Sequence, residues 1–113
     1  MGKAIYVSPP IKTVLQSGEE AKVKIVEARI VRNQYTSIGQ LKLGLGIEVE
    51  YKGERYSHLF SIDREVITGS AGRLLVSAGI KDTDDPELDK KIKTLEGKEV
   101  RVINRGGKLY WYP

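Results

Sequence analysis

Apolar residues alternate with polar ones from Leu41 to Ile62, and this alternation predicts a β-hairpin. Every second residue is apolar from Leu41 to Tyr51, which is the side-chain period of a strand with one buried face. The parity of the apolar positions changes across Lys52-Gly53, as expected if these two residues form a tight turn. The predicted register pairs Tyr51 with Glu54, Val49 with Tyr56, Ile47 with His58, Leu45 with Phe60 and Leu43 with Ile62. This register gathers the apolar side chains on one face and leaves the other face in solvent.

A kinked strand is predicted before this hairpin, over residues 20–32. Its apolar positions change parity once near Ile25-Val26, and such a change indicates a bulge or a sharp bend. A first strand that bends can pair with different neighbours along its two halves, which is how a small five-stranded barrel closes. Residues 1–18 are predicted to form an N-terminal arm or an edge strand, and the polar residues 33–40 a loop.

The period changes after the hairpin. Leu74, Leu75 and Ala78 have helical spacing and are followed by Gly79, so we predict a helix of two to three turns that begins near residues 68–71. A second short helix is predicted from Asp85 as its N-cap, because Pro86 follows and the acidic residues precede the lysines.

A second hairpin is predicted at the C-terminal end, turning at Gly106-Gly107. Its register pairs Val102 with Trp111, Ile103 with Tyr110 and Arg101 with Tyr112. We expect Trp111 to point inward and both tyrosines outward.

The predicted fold class is all-β with one or two short helices. Three strands precede the helices and two follow them, and a helix between the third and fourth strands of a five-stranded barrel is the arrangement of the OB-fold. With 113 residues and no repeat or linker, the chain is expected to form a single OB-fold-like domain over residues 1–113.

Composition argues against an enzyme, a metal site or a cofactor. The chain has no cysteine, and its single histidine, His58, is predicted to face inward opposite Ile47, so a zinc site would need carboxylates almost entirely. The acidic stretch 82–89 lacks the glycine and the terminal glutamate of an EF-hand loop, so helix capping is favoured over cation binding. The glycines match neither a P-loop nor a dinucleotide-binding pattern. We therefore expect no catalytic residue, no cofactor and no metal.

Charge and hydropathy bear on location and partners. The absence of cysteine favours an intracellular setting, and residues 1–10 lack the apolar core of a signal peptide. No apolar run reaches the roughly 20 residues that span a bilayer, so a cytoplasmic protein with no membrane partner is expected. The net charge of +4 mildly favours a polyanionic partner, although interleaved charges also suit the surface of a thermophilic protein.

The predicted outer face of the last hairpin combines cations with aromatic rings, which is what single-stranded nucleic acid needs. Cations hold the phosphates, and rings stack on bases. The predicted nucleic-acid-binding residues are Lys22, Lys24, Arg29 and Arg32, expected to point outward from the first strand, Tyr35 of the following loop, and Arg101, Arg105, Lys108, Tyr110 and Tyr112 of the last hairpin. The alternative is that both C-terminal tyrosines support the arm or a helix, and that the charges are only solvated.

Several positions resemble the layout of phage-type single-stranded DNA-binding OB proteins. The matching positions are Leu15 and Gly18 before the first strand, Gly53 in the hairpin turn, Ala78-Gly79-Ile80 at the helix end, and Leu95, Gly97, Lys98 and Val100 at the fourth strand. The resemblance spans roughly residues 15–105. It implies a protein that coats single-stranded DNA during replication, recombination or repair, without catalysis, and it assigns no binding residue.

These observations lead to two expectations of function from different classes. The first is a non-enzymatic protein that binds single-stranded nucleic acid, with DNA preferred over RNA by the resemblance alone. The alternative is a protein-interaction module that uses its barrel edge or N-terminal arm to form a homo-oligomer or to bind a replication protein. A nuclease or other enzyme is a third and weaker interpretation.

Overall fold

The computed structural model describes residues 8–36, 39–62 and 69–113, and describes side chains in these ranges except over residues 33–42. The described strands are β1 (Glu20–Thr36), β2 (Gly39–Tyr51), β3 (Glu54–Ser61), β4 (Glu99–Arg105) and β5 (Lys108–Tyr112), and the helices are α1 (Gly69–Ser77) and α2 (Leu88–Ile92). The strands form one antiparallel sheet in the order β3-β2-β1-β4-β5. The fold is therefore mostly β, with two short helices between the third and fourth strands.

Both predicted hairpins are confirmed, each with the predicted register. Their turns have positive φ at both central residues, 53° and 79° at Lys52-Gly53 and 63° and 91° at Gly106-Gly107. This is the type I′ geometry, whose twist matches that of the flanking strands. Each turn thus fixes which side chains of its hairpin share a face.

The predicted bend of β1 is also confirmed, as a register shift between Ile25 and Glu27. Before the shift Val23 pairs with Val100 of β4, and after it Ala28 pairs with Ile47 of β2. Because a bulge bends a strand and increases its twist, β1 curls the sheet around the core.

The core lies on the concave side of this curled sheet. Trp111 is fully buried, and its ring centre lies 5.1 Å from that of His58 and 5.6 Å from that of Phe60. These contacts join the two outermost strands, β3 and β5, through side chains. Within the described residues no hydrogen-bonded ladder joins β3 to β5, so the sheet is not closed.

Residues 8–15 follow the outer edge of β3 as an arm. The Ser57 N–H donates to the Pro9 carbonyl at 2.9 Å, and Pro10 forms a single parallel bridge with Ser57. A short 3-10 turn follows at Ile11–Thr13, and the side chains of Ile11 and Leu15 are buried in the core. Residues 1–7 of the predicted arm lie outside the described residues.

The predicted loop over residues 33–40 is wrong for residues 33–36 and 39–40, while residues 37–38 lie outside the described residues. β1 continues to Thr36 and β2 begins at Gly39, with Tyr35 paired to Gln40. The polar composition suggested a loop, but backbone ladders extend without apolar side chains when the register is already fixed.

The outer face of the first hairpin is solvated in part, as predicted, since Glu50, Arg55 and Ser61 are exposed, but another part is covered. Glu48 on that face is only 7% exposed. Its carboxylate accepts a hydrogen bond from Ser8 Oγ at 2.5 Å and pairs with Arg55 at 2.8 Å. The N-terminal arm therefore covers part of a face that the sequence pattern alone marks as polar.

The predicted helices are present, with one boundary corrected. α1 ends before Gly79, whose φ is 81°. α2 begins at Leu88 rather than at Pro86, while Asp85 Oδ1 accepts the Glu87 N–H at 2.8 Å just ahead of it. No described helix has the length and apolar composition to cross a membrane.

Candidate nucleic-acid interface

The ladders of β1, β4 and β5 bring three predicted site residues into one row. Lys22 lies opposite Arg101, and Arg101 lies opposite Tyr112. Their neighbours Val23, Val102 and Trp111 are buried in the core, so this row lies on the outer side of the sheet.

The same side of the second hairpin carries the next rows. Tyr110 lies opposite Ile103, and Lys108 lies opposite Arg105 beside the turn. We call this surface the C-terminal face, and it consists of Lys22, Lys24, Arg101, Arg105, Lys108, Tyr110 and Tyr112. Its cations are exposed and its two tyrosines are half-buried.

Both tyrosine rings of the C-terminal face lie beside cations. For Tyr110, the Arg105 guanidinium carbon and the Lys108 ammonium nitrogen lie 5.6 and 5.7 Å from the ring centre. For Tyr112, the guanidinium carbons of Arg101 and Arg73 lie 5.5 and 4.3 Å from the ring centre. These distances are within the range of cation–π attraction.

Arg73 belongs to α1 and was not among the predicted site residues. Its Nε donates to the Trp111 carbonyl at 2.8 Å, and a second guanidinium nitrogen lies 3.2 Å from Ser70 Oγ. Arg73 is therefore held in place, whereas Arg101 is exposed. No local pattern in the sequence marks it, because its contact with Tyr112 depends on how α1 lies against β5.

Acidic residues neutralise only part of the C-terminal face. Arg101 pairs with Glu20 at 3.2 Å, and Glu99 lies opposite Lys24. Within the part of the chain that the structure describes, four cations of this face make no ion pair, namely Lys22, Lys24, Arg105 and Lys108. The face therefore has an excess of positive charge.

A shallow depression of about 390 Å³ lies at one end of the face. Its lining includes Lys22, Arg101 and Tyr112, with Glu99 at one side. A phosphate could approach the two cations here while a base lies against the ring.

Three predicted site residues lie away from this face. Arg32 was expected to point outward, but it lies on the same side of β1 as Ala28 and pairs with Asp89 of α2 at 3.1 Å. Arg29 points outward opposite Gly46 of β2, seven residues or about 23 Å along β1 from Lys22 at about 3.3 Å per residue. Tyr35 lies at the C-terminal end of β1, and its side chain lies outside the described residues.

The acidic stretch between the helices forms local turns. Asp82 Oδ1 accepts the Asp84 N–H at 2.6 Å, and Asp85 pairs with Lys91 at 2.6 Å. The Lys91 ammonium hydrogen bond holds the pKa of Asp85 below its usual value. Over residues 8–36, 39–62 and 69–113, no group of three His, Cys, Asp or Glu side chains could hold a metal ion.

No family model, no curated protein and no solved structure matches this chain.

Proposed function

We propose that this protein binds single-stranded nucleic acid on the C-terminal face, without catalysing a reaction. The observation that carries the proposal is the row formed by Lys22, Arg101 and Tyr112 across three strands, with the second ring and its cations beside it. The preference for DNA, and a role in replication, recombination or repair, rest on the resemblance to phage-type single-stranded DNA-binding proteins. A cytoplasmic location belongs to the same proposal.

Electrostatic capture is the first part of the proposed mechanism. Binding of phosphates to cations that make no ion pair within the described residues releases counterions from the nucleic acid, and this release drives association. Lys22, Arg105 and Lys108 are exposed cations of this kind. Arg101 adds a planar guanidinium, but it must share its charge with Glu20.

Stacking on the rings is the second part, and it requires that a base displace a cation. A cation–π contact at an exposed site stabilises by about 0.5–1 kcal/mol. A base stacked on an aromatic side chain contributes about 1–3 kcal/mol. A base is therefore expected to replace the exposed Arg101 at Tyr112, while Arg73 stays fixed by its hydrogen bond to the Trp111 carbonyl.

The rings also explain the proposed preference for single strands. A tyrosine ring on the surface of a sheet reaches the face of a base only if that base is unstacked from its neighbours. In a duplex the base faces are covered, and only the phosphates remain available to the cations.

An OB-type barrel is part of the proposal, and three features of the fold support it. The strand order places β3 and β5 at the two edges, the β1 bulge curls the sheet, and His58 and Phe60 reach Trp111 between those edges. OB-folds bind oligonucleotides on the surface of the barrel and its loops.

The test is fluorescence anisotropy with labelled oligo(dT), the matching RNA and a duplex at several salt concentrations. If about four phosphates are contacted, log K should fall with log salt at a slope of about −3, since each contributes about 0.7. The affinity for oligo(dT) should then fall about 50-fold between 50 and 200 mM salt, and the duplex should bind at least about tenfold more weakly.

Negligible binding of all three nucleic acids at low salt would contradict the proposal. Equal affinity for the single strands and the duplex would be consistent with electrostatic capture by the cations, but it would contradict stacking of bases on the rings. Equal affinity for DNA and RNA would remove only the DNA preference.

A further inference from the structure

Within the part of the chain that the structure describes, both edge strands of the sheet have backbone groups without partners. Along β3 the groups that point away from β2 alternate, as shown by the Ser57 N–H, which reaches the arm at Pro9. By this alternation the N–H and C=O groups of Leu59 and Ser61 also point away from β2. They make no hydrogen bond within the described residues.

On β5 the corresponding groups belong to Leu109 and Trp111. α1 satisfies Trp111, whose N–H donates to Ser70 Oγ at 2.9 Å while its carbonyl accepts from Arg73 Nε at 2.8 Å. The backbone groups of Leu109 have no partner in the part of the chain that the structure describes. Helix α1 thus covers half of the β5 edge and leaves the half nearer the turn free.

A groove of about 560 Å³ lies between these two edges. β3 contributes His58, Leu59, Phe60 and Ser61 to its lining, and β5 contributes Lys108 and Leu109. Both free edges therefore line one groove, together with apolar side chains. Among its described lining residues, the two charged ones, Lys12 and Lys108, are cations, and none is a carboxylate.

The positive charge reaches the interior of this groove. Burial, with the positive charge of Lys12, lowers the pKa of His58 to about 4. His58 is therefore neutral at pH 7, and among the described residues of the groove the charged side chains are those of Lys12 and Lys108.

The free edges favour a peptide over a nucleic acid as the occupant. A strand edge presents both donors and acceptors, and an extended peptide matches both, whereas a phosphate backbone only accepts hydrogen bonds. The two cations favour an acidic peptide. A second copy of this chain that offered the same groove would bring like charges together.

We propose that the groove between β3 and β5 binds an extended acidic segment of a partner protein as an added strand. β3 and β5 run in the same direction, so one segment can run antiparallel to both and pair with each. Leu59, Ser61 and Leu109 would bond its backbone, while Lys12 and Lys108 would attract its carboxylates. This proposal does not depend on nucleic-acid binding at the C-terminal face.

The probe is a fluorescein-labelled octapeptide in which Asp alternates with Val, titrated into the full chain. Amide chemical shifts should change at Leu59, Ser61 and Leu109. Two matched peptides separate charge from backbone pairing, one with Lys in place of Asp and one N-methylated at alternate residues. Each should bind at least about tenfold more weakly, because one reverses the charge and the other removes donor groups.

Two variants locate the site on the protein. Leu59→Pro removes an N–H that β2 does not use, a change that edge strands tolerate, and should weaken peptide binding at least about fivefold. Lys12→Glu should weaken it by a similar factor without touching the C-terminal face, since a nearby charge of the wrong sign opposes an acidic ligand. Lys90→Glu on α2 is the control with the same charge change and should alter binding less than about twofold.

The proposal is overturned if the peptide does not bind, if it binds equally well when N-methylated, or if the shifts lie elsewhere. It is also overturned if oligo(dT) rather than the peptide shifts the three amides, which would make the groove a nucleic-acid site. Dimerisation that Lys12→Glu abolishes would show that the groove holds a second copy. If Leu59→Pro does not fold, the N-methylated peptide and Lys12→Glu decide the outcome.

Discussion

The two hairpins have the same turn but present their tyrosines to opposite sides of the sheet. In the first hairpin Tyr51 and Tyr56 lie with ring centres 6.3 Å apart and pack against the core. In the second, Tyr110 and Tyr112 lie outward among cations. A type I′ turn fixes the register in both cases, so the position of an aromatic residue relative to the turn decides its face. The comparison shows that the same hairpin geometry can direct aromatic side chains either into the core or to the outer surface.

The largest expected effect lies on the inner side of the second hairpin. Trp111→Ala should lower the free energy of unfolding by about 3–5 kcal/mol, because it leaves a cavity among rings from β3. Urea denaturation measures this change. Trp111→Phe should cost much less, since the indole Nε1 has no hydrogen-bond partner within the described residues. If Trp111→Ala lowers the free energy of unfolding by less than about 1 kcal/mol, as a surface substitution does, then the Trp111 side chain does not pack in the core.

The inner side of the first hairpin should respond to pH through His58. Burial, with the nearby charge of Lys12, lowers the pKa of His58 from 6.5 to about 4. Between these values the unfolded chain binds a proton that the folded chain does not, so stability falls as the pH falls. From pH 7 to pH 5 the loss should be about 2 kcal/mol, and His58→Phe should remove this part of it. Urea denaturation at both pH values checks this prediction. Identical pH dependence in the two proteins would contradict the half-buried, neutral state of His58.

Reversing cationic residues should weaken oligo(dT) binding at the C-terminal face but not at the first hairpin. Lys22→Glu combined with Arg101→Glu should weaken oligo(dT) binding about 30-fold at low salt, because two phosphate contacts are replaced by repulsion. Lys52→Glu at the turn of the first hairpin is the control and should change the affinity less than about twofold. Fluorescence anisotropy gives both values. Because the first variant reverses two charges and the control reverses one, an equal change in log affinity per reversed charge would show that net charge, and not the C-terminal face, governs binding.

The smallest expected effect concerns the rings themselves. Tyr112→Ala should weaken oligo(dT) binding about fivefold, because a stacking gain of about 1–3 kcal/mol is partly offset by the cation that the base displaces. Tyr56→Ala should instead lower the free energy of unfolding and leave the affinity unchanged. Fluorescence anisotropy measures the affinity of both variants for oligo(dT), and urea denaturation measures their free energies of unfolding. A folding defect in Tyr112→Ala with unaltered affinity would assign that ring to structural support.

The sequence predicts those parts of the fold that depend on local alternation. The registers of both hairpins follow from parity and turn residues alone, and the change of parity at Ile25 predicts the bulge in β1. Contacts between segments that are distant in the sequence cannot be predicted from local alternation. The burial of Glu48 depends on Ser8, forty residues earlier, and the extension of β1 to Thr36 depends on backbone pairing rather than on apolar residues.

The residues of the candidate site also fall into those that local alternation predicts and those that depend on contacts between distant segments. The tyrosines and cations of the second hairpin follow from its register, and the β1–β4 ladder adds Lys22 to them. Arg73 was missed because only the docking of α1 brings it to Tyr112. The predicted outward position of Arg32 is wrong, because the alternation after the bulge puts Arg32 on the side of Ala28, where it pairs with Asp89 of α2.

The most direct test of the proposed interface is an amide chemical-shift titration with oligo(dT). We predict that the largest shift changes lie at Lys22, Arg101, Tyr110 and Tyr112, and that the first hairpin changes little. Shift changes that are confined to the first hairpin, or that are absent at saturating oligo(dT), would contradict binding at the C-terminal face.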